Sequence, residues 1–394
     1  MEKPMTSSHL NLEERIEQMR STIDDPSFPT VKEWKAENPE GKVVGMFPVY
    51  TPCELPHAAG MLPVAVLGAG GKIEIDHADS RIQSFVCSIA RSTLELGLRG
   101  NLQNFDALWF PSICDVARNL SGIWQTNFAG QMVEYIHFPQ NMTSAVAPVH
   151  YRAELQRLLD HLAVLSGRQI SNDALVNSIG VYNRNRALCS SLYSIKRATP
   201  WLLSTYEAYI LLRYGTLVPV ELHNRLLEEV IPLIEARRGK PRDYVRVMIE
   251  GSFCEQPPLE LLQVVEESGC YIVDDDLLLN TRWFRESVPV NNDALRALAE
   301  SYIGGSIYSS VRHYGNRPRK EQFVDKIRNC DVDGVIFCQP KFCEPALFDY
   351  VLLKNELEKQ GIAYLTFEYE EKMGVFESIR TQVETFVESV MFFS

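Results

Sequence analysis

The chain contains no run of about 18 apolar residues, so nothing in it is read as spanning a bilayer. Its opening stretch, MEKPMTSSHLNLEERIEQM, is polar and acidic and lacks the apolar core of a signal peptide, so a cytoplasmic location is expected. Basic residues are in deficit. The 39 Lys and Arg against 51 Asp and Glu leave a net charge of −12, which argues against nucleic acid, whose phosphates need a basic surface. No GxxxxGK followed by Ser or Thr occurs, so there is no P-loop for nucleotide. GAGGK (68–72) follows VAVL with no helix pattern behind it and is read as a glycine turn. CxxC pairs and ferredoxin-type cysteine runs are also missing, which removes the usual sequence marks of zinc and iron–sulfur sites.

What is present is a folded composition, 45% hydrophobic and 23% charged. With 394 residues, two or three domains are expected. Residues 1–40 read as N-terminal helices. Over 41–149, apolar strands (GKVVGMFPVY, FDALWFPSI) alternate with helical patterns, which implies a first α/β lobe with a parallel sheet covered on both faces. Within it, 78–100 has apolar residues at Ile82, Phe85, Val86, Ile89 and Leu94, a spacing that predicts one helix capped by Asp79 or Ser80. Residues 150–240 are a helical segment with hardly a strand. A second α/β lobe follows over 241–394, with strands at YVRVMIEGSF, CYIVDDD, DGVIFCQP and AYLTFEYE. The fold class expected is α/β, two Rossmann-like lobes with parallel sheets and an intervening helical segment.

Nine cysteines in a reducing compartment are core thiols, a metal site or a nucleophile rather than disulfides. Four of them, Cys53, Cys114, Cys254 and Cys343, fall where a strand hands over to a helix, and each is followed by an acid. In open parallel sheets, ligands bind beyond the carboxyl ends of the strands, and a helix N-terminus favours a thiolate. Buried cysteine also behaves as a small hydrophobe, so the residues alone support a dispersed cysteine site and name no metal.

Several segments together resemble one family. FPVYTPCELPHAAGMLPV, FVCSIARSTLELGL, FPSICDVARNLSGIW, GSFCEQPPLELLQVVEESGCYIVDDD and DGVIFCQPKFCEPALFDYVLLKNELEKQGIAYLTFEYE are similar to the family of 2-hydroxyacyl-CoA dehydratases and ATP-dependent benzoyl-CoA reductases. The likeness runs over nearly the whole chain from about residue 40. Within the family, GSFCEQPP, GCYIVDDD and ICDVARNLSGIW are most similar to the smaller cluster-bearing subunit of the reductase branch.

The resemblance implies an iron–sulfur subunit of an oxidoreductase that delivers low-potential electrons to dearomatise an aromatic acyl-CoA to a cyclic dienoyl-CoA. It implies a 4Fe–4S cluster, or half of a double-cubane cluster, held by Cys87, Cys114 and Cys343, with one iron lacking a cysteine. It also implies a homologous larger subunit, ATP-hydrolysing iron–sulfur activator subunits and ferredoxin as electron source. Cys53 is not a family ligand position, Cys338 sits where many relatives lack cysteine, and Cys254 is read as packing. Cys189, Cys270 and Cys330 are read as core or surface thiols.

Glu54 and His57, at i and i+3, are candidates for proton transfer, with a structural histidine as the other reading of His57. Asp274, Asp275 and Asp276 are read as solvated caps or functional acids, and Arg282 as their partner or a CoA-phosphate contact. The alternative functions are a 2-hydroxyacyl-CoA dehydratase subunit, a double-cubane reductase, or a cluster-free scaffold of the same fold.

Overall fold

The computed structural model describes residues 11–278, 284, 286–305, 307–312 and 318–393. It is an α/β structure with two four-stranded parallel sheets. The chain enters through two helices, α1 (Leu12–Ile23) and α2 (Pro29–Glu37). Asn11 and Glu14 form a reciprocal capping box at the start of α1, and Leu12, Ile16 and Met19 give it one buried stripe.

The first sheet holds β1 (Val43–Met46), β2 (Leu62–Ala65), β3 (Ala107–Pro111) and β4 (Met132–Ile136), in the order β2-β1-β3-β4. Between them lie α3 (Glu54–Ala58), α4 (Ser88–Leu98) and α5 (Asp115–Asn127). Central β1 and β3 are buried at every residue, as continuous apolar runs in a doubly covered sheet must be. Edge strand β2 tolerates Pro63, since an edge can spare one amide.

Four helices follow: α6 (Ala147–Ser166), α7 (Asn172–Ala198), α8 (Thr205–Tyr214) and α9 (Val220–Glu235). Apolar side chains of α7, α8 and α9 belong to one buried cluster that also takes in residues of both sheets. The second sheet repeats the first. Its strands are β5 (Val245–Glu250), β6 (Cys270–Asp274), β7 (Gly334–Pro340) and β8 (Ala363–Tyr369), in the order β6-β5-β7-β8. Its helices are α10 (Leu259–Glu267), α11 (Ala294–Gly305), α12 (Arg319–Asn329), α13 (Glu344–Gln360) and α14 (Glu377–Phe393).

One sequence expectation needs correction. The single helix over 78–100 is instead a 3-10 turn at Ala78–Ser80, irregular backbone, and then α4 from Ser88. Phe85 is 66% exposed, so its place in the apolar spacing has no core behind it. Asp79 does not cap α4; its carboxylate takes the Arg91 guanidinium at 2.7 Å. The N-terminus of α4 is set by a carboxylate from the other lobe. Glu255 accepts from Ser88 Oγ at 2.5 Å and from the Ile89 amide at 3.1 Å. A partner 166 residues away leaves no periodic trace in the local sequence. Among the described residues, no helix is long and apolar enough to cross a membrane.

Candidate functional site

In each sheet the strand order reverses beside the first strand, at β1/β3 and at β5/β7, and these switch points open a crevice at the carboxyl ends. Cys53 and Cys114 follow β1 and β3, while Cys254 and Cys343 follow β5 and β7. Cys87 is the residue before α4. Cys87, Cys114 and Cys343 therefore share one local design: each is the N-cap of a helix, in non-helical backbone.

Each also has alanine three residues on, as Cys87-Ser-Ile-Ala90, Cys114-Asp-Val-Ala117 and Cys343-Glu-Pro-Ala346. The Ala117 amide donates to Cys114 Sγ at 3.5 Å. The Ala90 and Ala346 amides act on Cys87 and Cys343 in the same sense, favouring the thiolate, although only Cys114 has a full capping hydrogen bond. Cys53 and Cys254 have proline at the third position, Pro56 and Pro257, which offers no amide. This thrice-repeated Cys-x-x-Ala was available in the sequence as a separator of the cysteines.

Burial raises all three thiols, Cys343 to about 12, and neighbouring thiolates push Cys87 and Cys343 further in the same direction. Cys343 and Cys114 act on Cys87, and Cys114 acts on Cys343, so the three lie within electrostatic reach of one another. Bare, such a group holds its protons; a bound cation would release them and be held by three thiolates. Among the described residues, no His, Cys, Asp or Glu set is tight enough for a single metal ion. A mononuclear tetrahedral site draws its sulfurs to within about 4 Å of each other, whereas a polynuclear iron–sulfur core spreads them. All nine cysteines are free.

Phe342 precedes Cys343 with a φ of 62°, a conformation that costs a non-glycine residue about 1–3 kcal/mol. It turns the chain out of β7 to present Cys343. Behind Cys87 lies a buried acid pair. Glu255 is raised by burial and by the charge of Glu371, and burial likewise raises Glu371. The Ala69, Gly70 and Gly71 amides and Ser92 hold Glu371. A Cβ at Gly68 would meet Glu371 Oε1 at 2.0 Å, and one at Gly71 would meet the Glu371 carbonyl at 2.6 Å. The GAGGK turn thus cradles a carboxylate of the opposite lobe.

The other sequence candidates are tied up elsewhere. Glu54 is fully buried in an ion pair with Arg186. His57 is held between Ser178 Oγ and Glu221 Oε1, each at 2.8 Å. Cys53 lies near Arg186 and Tyr182 rather than among the other cysteines. The aspartates are buried, which overturns the reading of them as solvated caps. Asp274 pairs with Arg197 at 2.5 Å, Asp275 pairs with Lys196, and Asp276 accepts from the Gly251 and Ser252 amides at 2.7 and 3.0 Å. Arg282 lies outside the described residues. Cys338 is fully buried within β7, and Cys189, Cys270 and Cys330 are buried.

A cleft of about 770 Å³ is bounded by Ser112, Ile113 and Pro345, which are near Cys114 and Cys343 in the chain, although neither cysteine lines it. Phe138 and Tyr302 also line it, their rings stacked 4.8 Å apart. Arg312, buried and stacked on Tyr302, contributes a guanidinium whose Nη1 has no hydrogen-bond partner among the described residues. The volume is that of a small-molecule site.

A family model described as 2-hydroxyglutaryl-CoA dehydratase, D-component, matches residues 48–390. A benzoyl-CoA reductase subunit of Thauera aromatica is 40% identical over 380 residues, covering 96% of this chain and 98% of that one. Lactoyl-CoA dehydratase subunit beta of Anaerotignum propionicum is 30% identical over 381 residues, covering 95% and 99%. (R)-2-hydroxyglutaryl-CoA dehydratase subunit beta of Acidaminococcus fermentans is 26% identical over 379 residues, covering 95% and 98%.

Proposed function

Because this chain belongs to the 2-hydroxyglutaryl-CoA dehydratase D-component family, we propose that it is the cluster-holding subunit of an ATP-dependent benzoyl-CoA reductase. Cys87, Cys114 and Cys343 hold a 4Fe–4S cluster in this reading. The observation that carries it is the shared design of the three cysteines, each a helix N-cap ahead of an alanine amide and all within reach of one another's charge. The reductase branch is favoured over the dehydratases by identity, 40% against 30% and 26%.

When bound, the cluster supplies electrons at low potential, which burial and few hydrogen bonds to sulfur favour. The residues of the chain do the rest. Three helix N-termini hold the thiolates, with Cys343 buried and Cys87 and Cys114 half-buried. Phe138 and Tyr302 offer an aromatic floor to the acyl ring, and Arg312 Nη1 is a donor free for an acyl oxygen. Glu54 and His57, with their bonding to Arg186, Ser178 and Glu221, are assigned to fixing α3 on the helical segment rather than to proton transfer.

Helix α13, which starts at Cys343, carries exposed Phe348, Val351 and Leu352. Such a patch suits burial against the homologous larger subunit. ATP hydrolysis and reduction by ferredoxin belong to separate activator subunits, since this chain has no P-loop.

The test is anaerobic iron and sulfide content of the complex, with Cys87→Ser, Cys114→Ser and Cys343→Ser made singly in this chain. Each is expected to lose at least about tenfold in cluster affinity, because even outer partners of metal ligands are worth that much. Unchanged iron in all three would sink the cluster. Assaying benzoyl-CoA against a 2-hydroxyacyl-CoA separates the reductase from a dehydratase.

A further inference from the structure

The cleft of about 770 Å³ holds a cation that the fold does not fully neutralise. Arg312 lines the cleft and is 1% exposed. Its Nε and Nη2 donate to the Tyr302 and Ile303 carbonyls, in the last turn of α11. Its guanidinium lies 5.3 Å from the ring centroid of Tyr302 and 4.5 Å from that of Tyr308. These contacts make Arg312 the cap of that helix end. Nη1 is left over, buried and with no hydrogen-bond partner among the described residues. The carboxylates on the cleft wall have cations of their own, Asp349 pairing with Arg319 at 3.2 Å and Glu356 with Lys359 at 3.8 Å. Among the described residues no acid pairs with Arg312.

A helix C-terminus presents roughly half a negative charge, which offsets part of the guanidinium and leaves the rest uncancelled. Buried charges are ordinarily paired, because burial strips away the water that would solvate them. Capping α11 therefore accounts for Nε and Nη2, but for neither Nη1 nor the remaining charge. An anion in the cleft would satisfy both. A neutral carbonyl would satisfy the N–H alone, through a hydrogen bond roughly half as strong as one to a carboxylate. The wider lining agrees in sign, with Arg312, Arg319, Lys320 and Lys359 against Asp349 and Glu356 in a chain of net charge −12. It also shows what the anion is attached to. Ile113, Phe138, Pro139 and Met142 make one wall apolar, and Phe138 and Met142 are buried there, a surface suited to a flat ring.

We propose that this cleft binds a free aromatic carboxylate, with the carboxylate on Arg312 Nη1 and the ring against the wall of Phe138 and Met142. The site is the one given above to the acyl group, and it rests on that reading only in that acid and thioester then exclude one another. No bond is made or broken. An aromatic thioester is formed from its acid, so the cleft would sense how far supply of the thioester lags behind the acid.

The experiment is isothermal titration of the anaerobic complex containing this chain with benzoate, benzamide and inorganic phosphate, in the wild type and in Arg312→Gln. Benzamide has the ring without the charge, and phosphate the charge without the ring. Benzoate is expected to bind the wild type at least about tenfold more tightly than either, and to lose that advantage over benzamide in Arg312→Gln. Benzoate no tighter than benzamide overturns the proposal, as does phosphate that binds as tightly as benzoate. A benzoate affinity unchanged in Arg312→Gln overturns it too. Should Arg312→Gln fail to assemble, Phe138→Leu, which leaves the cap of α11 in place, decides: it is expected to weaken benzoate and spare phosphate, and an unchanged benzoate affinity there refutes the site. Titration with benzoyl-CoA separates the two readings. Benzoyl-CoA that binds while benzoate does not overturns the carboxylate site alone. Benzoate bound through Arg312 that benzoyl-CoA does not displace supports the carboxylate site and removes the acyl group from this cleft.

Discussion

His223 sits wholly buried in α9, where Nδ1 accepts from Asn185 Nδ2 at 2.8 Å and Nε2 donates to the Leu211 carbonyl at 3.1 Å. Both bonds suit the neutral ring, and burial lowers its pKa to about 4. The unfolded chain titrates near 6.5, so as pH falls it takes up this proton before the native state does. The stability from the neutral ring is complete above about pH 6.5 and is lost between there and pH 4. The loss is about 3 kcal/mol for that span of pKa. Chemical denaturation across this window should show the fall, and His223→Gln should flatten it; an equal slope in both proteins would contradict the assignment. At the same scale, residue type and immediate neighbours marked Cys114 and Cys343, together with Cys53 and Cys254, as strand-end cysteines in the sequence. Cys87 was not marked, because its flanking apolar residues include Phe85, which faces solvent.

Helix α4 shows how an element can be right in kind and wrong in extent. Ile89 and Leu94 do lie in the core, but the helix begins at Ser88 because Glu255 supplies its cap from the second lobe. Replacing Glu255 with alanine leaves a buried hydroxyl and an amide without an acceptor, at a cost of about 1–3 kcal/mol. Hydrogen exchange should then quicken at the first amides of α4 while the centre of α7 stays protected. Unchanged protection at Ser88–Ala90 would mean that the cap is not what starts the helix. Helix α13 differs. Its cap, its Pro345 in the first turn and its Gly361 stop are all local, and its extent was legible from the sequence.

At the scale of the molecule, the two sheets repeat one strand order and are joined through a shared core with α7, α8 and α9. Glu371 in its glycine cradle and Glu255 on α4 fasten the lobes directly. Neither lobe is expected to stand alone. Residues 241–394 expressed by themselves would bare the apolar face that the helical segment covers, and should aggregate or bind a hydrophobic dye strongly. A monomeric fragment with sharp, dispersed amide resonances would show that the shared core is dispensable.

The sequence by itself determined the α/β class, strands β1 and β3 of the first lobe, the four strands of the second and four strand-end cysteines, because these follow from periodicity and neighbours within about ten residues, whereas the short strands β2 and β4 were not read. Tertiary structure alone decided which cysteines meet. Cys87 and Cys254 come together through Glu255, far apart in the chain, while Cys53, with the same Cys-Glu-x-Pro surroundings as Cys254, is drawn off by Arg186 and Tyr182. Two residues with the same local code thus take different places, since burial and charge across the fold are set by partners that local sequence does not name.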